Sequence, residues 1–185
     1  PVSGEEVGGY YAAPPGEQVD GKHLPWGWEQ LDYDDNQWSS AAWASPFPAE
    51  ERGTNPFGAI GSWQLVPGTL PEMEERPIRF QSVRRAQGIK PTEGFIKGKG
   101  ALEIPANTRA VLLLDQAYLT NAYTVMEVSG GEHSKVTLEY VEALKYPDGS
   151  KGNRNEIEGK DLYGIQDVFH PDGGKRHRFQ TLWFR

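Results

Sequence analysis

The stretch Thr124-Val-Met-Glu-Val-Ser-Gly-Gly-Glu-His-Ser-Lys-Val-Thr-Leu-Glu-Tyr-Val141 decides the fold class. Its two ends, residues 124–128 and 135–141, alternate apolar side chains with polar ones, which is typical of half-buried strands. Gly130 and Gly131 separate them and indicate a hairpin-like turn. The stretch therefore predicts two adjacent antiparallel strands.

Similar short runs of β-branched or aliphatic residues occur on both sides of this stretch. No segment repeats its apolar residues at helical spacing over about 11 residues, so a long amphipathic helix is not expected. We expect an all-β fold, a two-sheet antiparallel β-sandwich of jelly-roll or galactose-binding-like type, with a loop-rich N-terminal segment. The further predicted strands are Trp63–Val66, Ile78–Arg84, Ala101–Pro105, Ala110–Asp115 and Phe179–Phe184.

Residues 86–95 form a polar, turn-rich stretch and are the clearest candidate for an internal boundary. We expect a loop-rich, Trp-rich part over residues 1–90 and the main sandwich strands over residues 91–185, within one domain overall. The chain begins at Pro1 without an initiator Met and ends within a strand-like pattern. We therefore expect it to be a piece cut from a longer polypeptide.

Composition and charge argue against several classes of protein. The chain has 185 residues, with 19 Lys and Arg against 26 Asp and Glu, and a formal net charge of −7. An acidic chain without a basic stripe binds the phosphate backbone poorly, so nucleic acid is not expected as a partner. The longest aliphatic run, Ala110–Leu114, is too short to cross a bilayer. Because the chain has no cysteine, disulfides and thiolate nucleophiles are excluded. The cysteine count does not indicate the cellular compartment.

The sequence predicts no catalytic residue and no metal ligand. Its four histidines are scattered, and none has the spacing of a two-ligand metal motif. Neighbouring acidic residues, such as Asp34 with Asp35 and Glu50 with Glu51, are typical of solvated loops. They do not by themselves indicate a general acid and base.

Trp26, Trp28 and Trp38 predict a carbohydrate-binding surface as one interpretation of the loop-rich segment. Flat aromatic faces stack on sugar rings, and Asp35 supplies a carboxylate for sugar hydroxyls. Carboxylate and amide oxygens also suit Ca²⁺, so calcium stays open as a ligand, while no other cofactor is expected. The alternative interpretation places these tryptophans in the core.

Asn153, Arg154, Asn155 and Glu156 predict a domain interface. They lie in a long polar loop that is dense in side chains able to make directional hydrogen bonds. Such a loop is either solvated or engaged with a partner. Arg154 is its best anchor, because a planar guanidinium grips a carboxylate or several carbonyl oxygens.

Seven strings occur in one order along most of the chain. They are Pro25-Trp-Gly-Trp28, Asp32-Tyr-Asp-Asp-Asn-Gln-Trp38, Trp63-Gln-Leu-Val-Pro-Gly-Thr-Leu-Pro-Glu-Met-Glu-Glu75, Ile104-Pro-Ala-Asn-Thr108, Leu114-Asp-Gln-Ala-Tyr-Leu-Thr-Asn-Ala-Tyr123, Leu138-Glu-Tyr-Val-Glu-Ala-Leu144 and Lys151-Gly-Asn-Arg-Asn-Glu-Ile-Glu-Gly159. Together they resemble bacterial α-L-rhamnosidases, which are multidomain glycoside hydrolases, in the β-sandwich region that precedes the catalytic barrel. The chain departs from the family pattern at Gly68, where a basic residue is expected.

The resemblance implies an inverting glycosidase whose acid and base are paired carboxylates on an α/α barrel C-terminal to this region. According to the resemblance, the partner of this chain is that barrel, and plant or microbial glycans are further partners. The resemblance also implies a periplasmic or secreted location. We therefore expect a non-catalytic accessory domain that supports or orients the barrel. The alternative is a lectin-like module that recognises rhamnose-containing glycans, with or without Ca²⁺.

Overall fold

The computed structural model describes residues 15–42, 68–183 and 185, and in these ranges the regular structure is almost all strand. The fold is therefore all-β, as predicted. No helix in these ranges has the length and apolar character needed to cross a membrane. The elements are β1 (Gln18–Asp20), a 3-10 turn (Gly21–His23), β2 (Ser82–Gln87), α1 (Glu93–Ile96), β3 (Val111–Asp115), β4 (Val125–Val128), β5 (Val136–Tyr140), β6 (Ile165–His170) and β7 (His177–Gln180).

The strands of the described ranges pair in three small sheets. A three-stranded sheet has the order β1–β6–β5, while β2 pairs with β3 and β4 pairs with β7. The β2–β3, β4–β7 and β5–β6 pairs are antiparallel, which is the predicted type of pairing. The prediction of antiparallel sheets fails for β1, which runs parallel to β6.

One hydrophobic cluster joins the three-stranded sheet to the β4–β7 pair. Val19 on β1, Phe169 on β6 and Phe179 on β7 are buried at its centre. The two phenylalanine rings stack with their centroids 5.0 Å apart. Both sheets therefore bury side chains in the same core, which is completed by Leu24, Trp26, Met126, Val128 and Leu138.

β6 is the central strand of its sheet and carries the most deeply buried residues. Asp167, Val168 and Phe169 are each at most 1% exposed, so both faces of the strand are covered. The sequence did not indicate this strand, because Asp167 places an ionisable side chain where a strand buried on both faces normally has an apolar one.

Asp167 is buried together with the cation that neutralises it. Arg185 donates from Nε and Nη2 to the two carboxylate oxygens of Asp167, at 2.9 and 2.5 Å. The backbone N–H of Glu17 also donates to Asp167 Oδ1 at 2.9 Å, and the Glu17 carboxylate accepts from the backbone N–H of Leu182 at 2.6 Å. The segments before β1 and after β7 are therefore both tied to the centre of β6.

The hairpin predicted between residues 124–128 and 135–141 is wrong. β4 pairs with β7 and β5 pairs with β6, so the two strands belong to different sheets. The connection between them is held by a hydrogen bond from Gly130 N–H to the carbonyl of Gly174, at 2.8 Å, and His133 adopts a φ of 66° within it. The connection is therefore a turn that leads from the β4–β7 sheet to the three-stranded sheet and does not form a hairpin.

Further strand predictions differ from the structure or lie outside it. Residues 101–105 form no strand, and Pro105 lacks the N–H group that a strand ladder needs. The strand predicted over residues 78–84 begins only at Ser82. The strand predicted over Trp63–Val66 lies outside the described residues.

The chain divides into two compact units. The larger unit comprises Pro1–Trp26 and Ile78–Arg185, and the smaller comprises Gly27–Pro77. The strands and α1 belong to the larger unit. The division into parts 1–90 and 91–185 stays a prediction.

Replacing Arg185 by Met should strongly destabilise the chain. The change leaves the carboxylate of Asp167 buried without its cation, and breaking a buried ion pair in this way costs about 3–5 kcal/mol. Urea denaturation measures the loss as a change in the free energy of unfolding.

The matched control for this prediction is Arg176→Met. Arg176 pairs with Glu127, but both side chains are largely exposed, so the loss of stability should be much smaller than that of Arg185→Met. Equal losses in the two variants would contradict the prediction, because they would show that burial of the Arg185 pair adds nothing.

Candidate functional site

The polar loop predicted as an interface is closed at its base by a two-residue bridge. Lys145 and Asp161 exchange backbone hydrogen bonds of 3.0 and 2.9 Å. We call residues 146–160, which lie between them, the 146–160 loop. Its first turn is closed by the hydrogen bond from Tyr146 N–H to the carbonyl of Ser150, at 2.8 Å. The loop is therefore a folded excursion from the sheet that contains β5 and β6.

Lys160 lies inside this loop with only 1% of its surface exposed. Its ammonium donates to the carbonyl oxygen of Asn153 at 2.6 Å and lies 4.7 Å from the centroid of the Tyr146 ring. Gly152 and Gly159 flank that ring: a Cβ on Gly152 would lie 3.1 Å from it, and one on Gly159 would lie 3.7 Å from it. The two glycines leave the space that the tyrosine ring occupies.

Two arginines of β2 hold the loop from outside. Arg84 donates from Nη2 to the carbonyl of Asn155 at 2.8 Å and from Nη1 to the carboxylate of Asp115 at 2.9 Å. Arg85 donates to the carbonyl of Lys160 at 3.2 Å. One guanidinium thus links the loop to the end of β3, and a second fixes the loop near its base.

The carboxylate of Asp115 is the acidic partner in this arrangement. The backbone N–H of Ala117 donates to it at 2.7 Å, and Arg84 binds its other oxygen. The amide first and the guanidinium second lower the pKa of Asp115 below its ordinary value of 3.8. The ionised carboxylate is therefore the form that the fold stabilises.

The structure brings the four predicted interface residues together in one turn. The Asn153 side chain accepts from the Asn155 N–H at 3.0 Å, and its carbonyl accepts from the Glu156 N–H at 3.1 Å. All four residues, Arg154 included, are exposed. The guanidinium of Arg154 has no hydrogen bond or ion pair with the residues that the structure describes. The backbone of this turn is therefore fixed by hydrogen bonds within the loop, while the side chain of Arg154 is accessible to a binding partner.

Sequence reasoning missed the groups that order this turn. Lys160, Tyr146 and Arg84 resemble ordinary surface residues when read along the chain, since lysine and arginine are seldom buried. The spacing of Gly152 and Gly159 around a charged, amide-rich stretch is the one signal of a packed interior in this loop.

The residues predicted to bind sugar are divided between the two units. Trp28, Asp35 and Trp38 belong to the smaller unit, and Trp26 belongs to the larger one. Trp28 is 61% exposed and Trp38 is 52% exposed, so the alternative that places these two in the core is wrong. Asp35 is also exposed, and its carbonyl accepts from the Trp38 N–H at 2.8 Å in a tight turn.

Trp26 is half-buried and packs against the core of its unit. One face of its ring stacks on His177, with the centroids 4.1 Å apart. Its indole N–H donates to the carbonyl of Gly21 and to the carboxylate of Asp172, both at 2.9 Å. Asp172 also binds the His177 ring at 2.9 Å. The ring and N–H of Trp26 are thus both engaged within the chain.

Within the described ranges, no three His, Asp or Glu side chains converge as metal ligands. Calcium binding and sugar binding stay predictions. Comparisons of the chain with protein-family models, curated proteins and solved structures found no significant match. The resemblance to α-L-rhamnosidases likewise stays a prediction.

Replacing Asp115 by Asn should lower stability near neutral pH, and the loss should disappear in acid. Because its pKa lies below 3.8 in the folded chain, Asp115 stabilises the fold fully above that value. The stabilisation is lost as the pH falls below 3.8 and through the folded pKa. Urea denaturation at pH values from about 6 to about 2.5 should show the two proteins converging.

Arg84→Met is the control for the origin of this effect. It removes the second donor and keeps the Ala117 amide, so part of the pH-dependent stabilisation should survive. A difference between wild-type and Asp115→Asn protein that is constant over the whole pH range would contradict the role of the charge.

Proposed function

We propose that this chain is a non-catalytic β-sandwich accessory domain of an α-L-rhamnosidase-like glycoside hydrolase. In this proposal the domain supports or orients the catalytic barrel of the same polypeptide, and the 146–160 loop contacts that barrel. The resemblance in the sequence supplies the family and the barrel. The ordered, exposed turn of the loop supports the choice of this loop as the contact surface.

The sandwich architecture is part of the proposal. Its support is the shared core, in which Phe169 of the three-stranded sheet stacks on Phe179 of the β4–β7 pair. Two sheets that bury side chains in one core are the basic unit of a β-sandwich.

The observation that carries the interface is Arg154, which is exposed on an ordered turn and has no partner within the described part of the chain. An arginine whose backbone is already fixed loses less conformational entropy on binding, which favours affinity. Arginine is also enriched among the residues that dominate binding energy in protein interfaces. Its planar fork fits a carboxylate or backbone carbonyls of the facing domain.

The proposal makes the chain itself inactive as a hydrolase. Purified alone, it should fold and should not hydrolyse an aryl α-L-rhamnoside, because the resemblance places the acid and base on the barrel. Turnover by the chain alone, after contaminating enzymes are removed, would contradict the proposal.

Replacing Arg154 by Glu should weaken the binding of the chain to the separately expressed barrel of its parent polypeptide. We expect the Kd, measured by calorimetry, to rise about 30-fold, which corresponds to the loss of about 2 kcal/mol that marks an interface hot spot. Lys151→Glu is the matched control, since it makes the same charge change in the same exposed loop. Equal effects would indicate general electrostatic attraction, and no effect of Arg154→Glu would exclude this loop as the interface.

A second candidate function is a lectin-like module, and the exposure of Trp28 and Trp38 favours it. Trp38 also lies beside the Tyr33 ring, with the centroids 5.6 Å apart, so the aromatic surface is larger than one side chain. Such surfaces stack on sugar rings, and the neighbouring carboxylate of Asp35 suits hydroxyl groups.

A titration with L-rhamnose and with a rhamnose-containing oligosaccharide tests the lectin-like function. Intrinsic fluorescence should shift saturably in the wild-type chain and in Trp183→Ala, and the shift should be lost in Trp38→Ala. Trp183 is the matched control because it is 46% exposed and lies in the other unit. Loss of the fluorescence shift in chelator would show that sugar binding requires Ca²⁺. No fluorescence change with any sugar would exclude the lectin-like function.

A further inference from the structure

Lys160 carries a charge that is unusually placed for a lysine. Fully buried lysines are rare unless they are paired. Among the described residues, Lys160 has no carboxylate partner, and its ammonium instead contacts the carbonyl of Asn153 and the ring of Tyr146. The compensation for burying this charge therefore comes from two groups of the 146–160 loop itself.

Because of this compensation, the loop conformation depends on the ammonium. A buried ion costs several kcal/mol when its partners are removed. If the Asn153 turn moved outward, the ammonium would lose its carbonyl acceptor while it stayed enclosed by the rest of the loop. The Tyr146 ring, the other group that the ammonium contacts, lies close beside Gly152 and Gly159. The cost of leaving the enclosed ammonium without this acceptor opposes an outward movement of the turn.

We propose that Lys160 is the positioning residue of the 146–160 loop, and that its charge fixes the Asn153–Glu156 turn in the conformation that presents Arg154 outward. The identity of the group that Arg154 meets rests on the proposed function. The ordering of the turn does not, since its contacts all lie within this chain.

Arg84 is the competing explanation for the order of the turn. It binds the carbonyl of Asn155 from β2, at 2.8 Å. Its side chain is 35% exposed, however, so water competes for the same carbonyl when the arginine is removed. Lys160 is enclosed, and its replacement by Met leaves the carbonyl of Asn153 with the Glu156 N–H and without the charged donor, beside an apolar side chain. We therefore assign the larger effect to Lys160.

The test is limited proteolysis of the 185-residue chain with trypsin, followed at the Arg154–Asn155 bond by mass spectrometry. Cleavage requires the turn to open, so its rate reports the population of the open loop. Lys160→Met keeps an apolar stem of similar length and removes the charge. We expect it to be cleaved roughly 10- to 100-fold faster than the wild type, as for the loss of a charged hydrogen bond.

Two further variants separate charge from packing and from Arg84. Lys160→Arg restores the charge and should return the cleavage rate towards that of the wild type, which a purely volumetric role would not predict. Arg84→Met should change the rate by less than about threefold, within the range of an exposed contact. Exchange of the Glu156 amide hydrogen, which is bonded to Asn153, should follow the same order.

Cleavage of Lys160→Met at the wild-type rate would overturn the proposal. So would a cleavage rate in Arg84→Met about tenfold above that of the wild type, because it would show that Arg84 orders the turn. This second result decides the question even if Lys160→Met does not fold. Failure of the proposed function is seen separately, as an unchanged Kd of Arg154→Glu for the barrel, and it leaves these cleavage rates unaffected.

Discussion

The bidentate ion pair between Arg185 and Asp167 is the constraint on which the larger unit depends. Asp167 lies at the centre of β6 with no exposed surface, and burying its carboxylate without a cation would be strongly unfavourable. Arg185 supplies that cation from the segment after β7, and Glu17 shares the same guanidinium at 3.5 Å from the segment before β1. Both segments must be in place before β6 can be covered on its two faces.

The same network buries the carboxylate of Glu17, and this burial has a consequence for acid stability. Burial raises the pKa of Glu17 above its ordinary value of 4.5, although the amides of Trp183 and Leu182 partly offset it. The contribution of Glu17 to stability is therefore full at low pH and is lost as the pH rises through the raised pKa. The contribution of Asp115 to stability depends on pH in the opposite direction, because its pKa is lowered. As the pH falls, the stability gained from Glu17 therefore partly offsets the stability lost from Asp115.

The all-β character could be predicted because alternation along β4 and β5 is a local signal. Pairing is not local: Gly130 and Gly131 indicate a turn, but nothing near them shows that β4 pairs with β7. β6 was missed because Asp167 is neutralised by a residue 18 positions away in the sequence. Composition was enough to find the polar loop. It was not enough to find Lys160, since an isolated lysine normally lies in water.

The two candidate functions are independent because they use different side chains on different units. Arg154 and the contacts that order its turn belong to the larger unit, whereas Trp28 and Trp38 belong to the smaller one. Exposure decides whether a tryptophan is available to a sugar. The ring face and N–H of Trp26 already have partners in the chain, whereas Trp28 is 61% exposed. A domain that contacts a barrel through one unit can therefore still bind a glycan through the other, and evidence for either function leaves the other open.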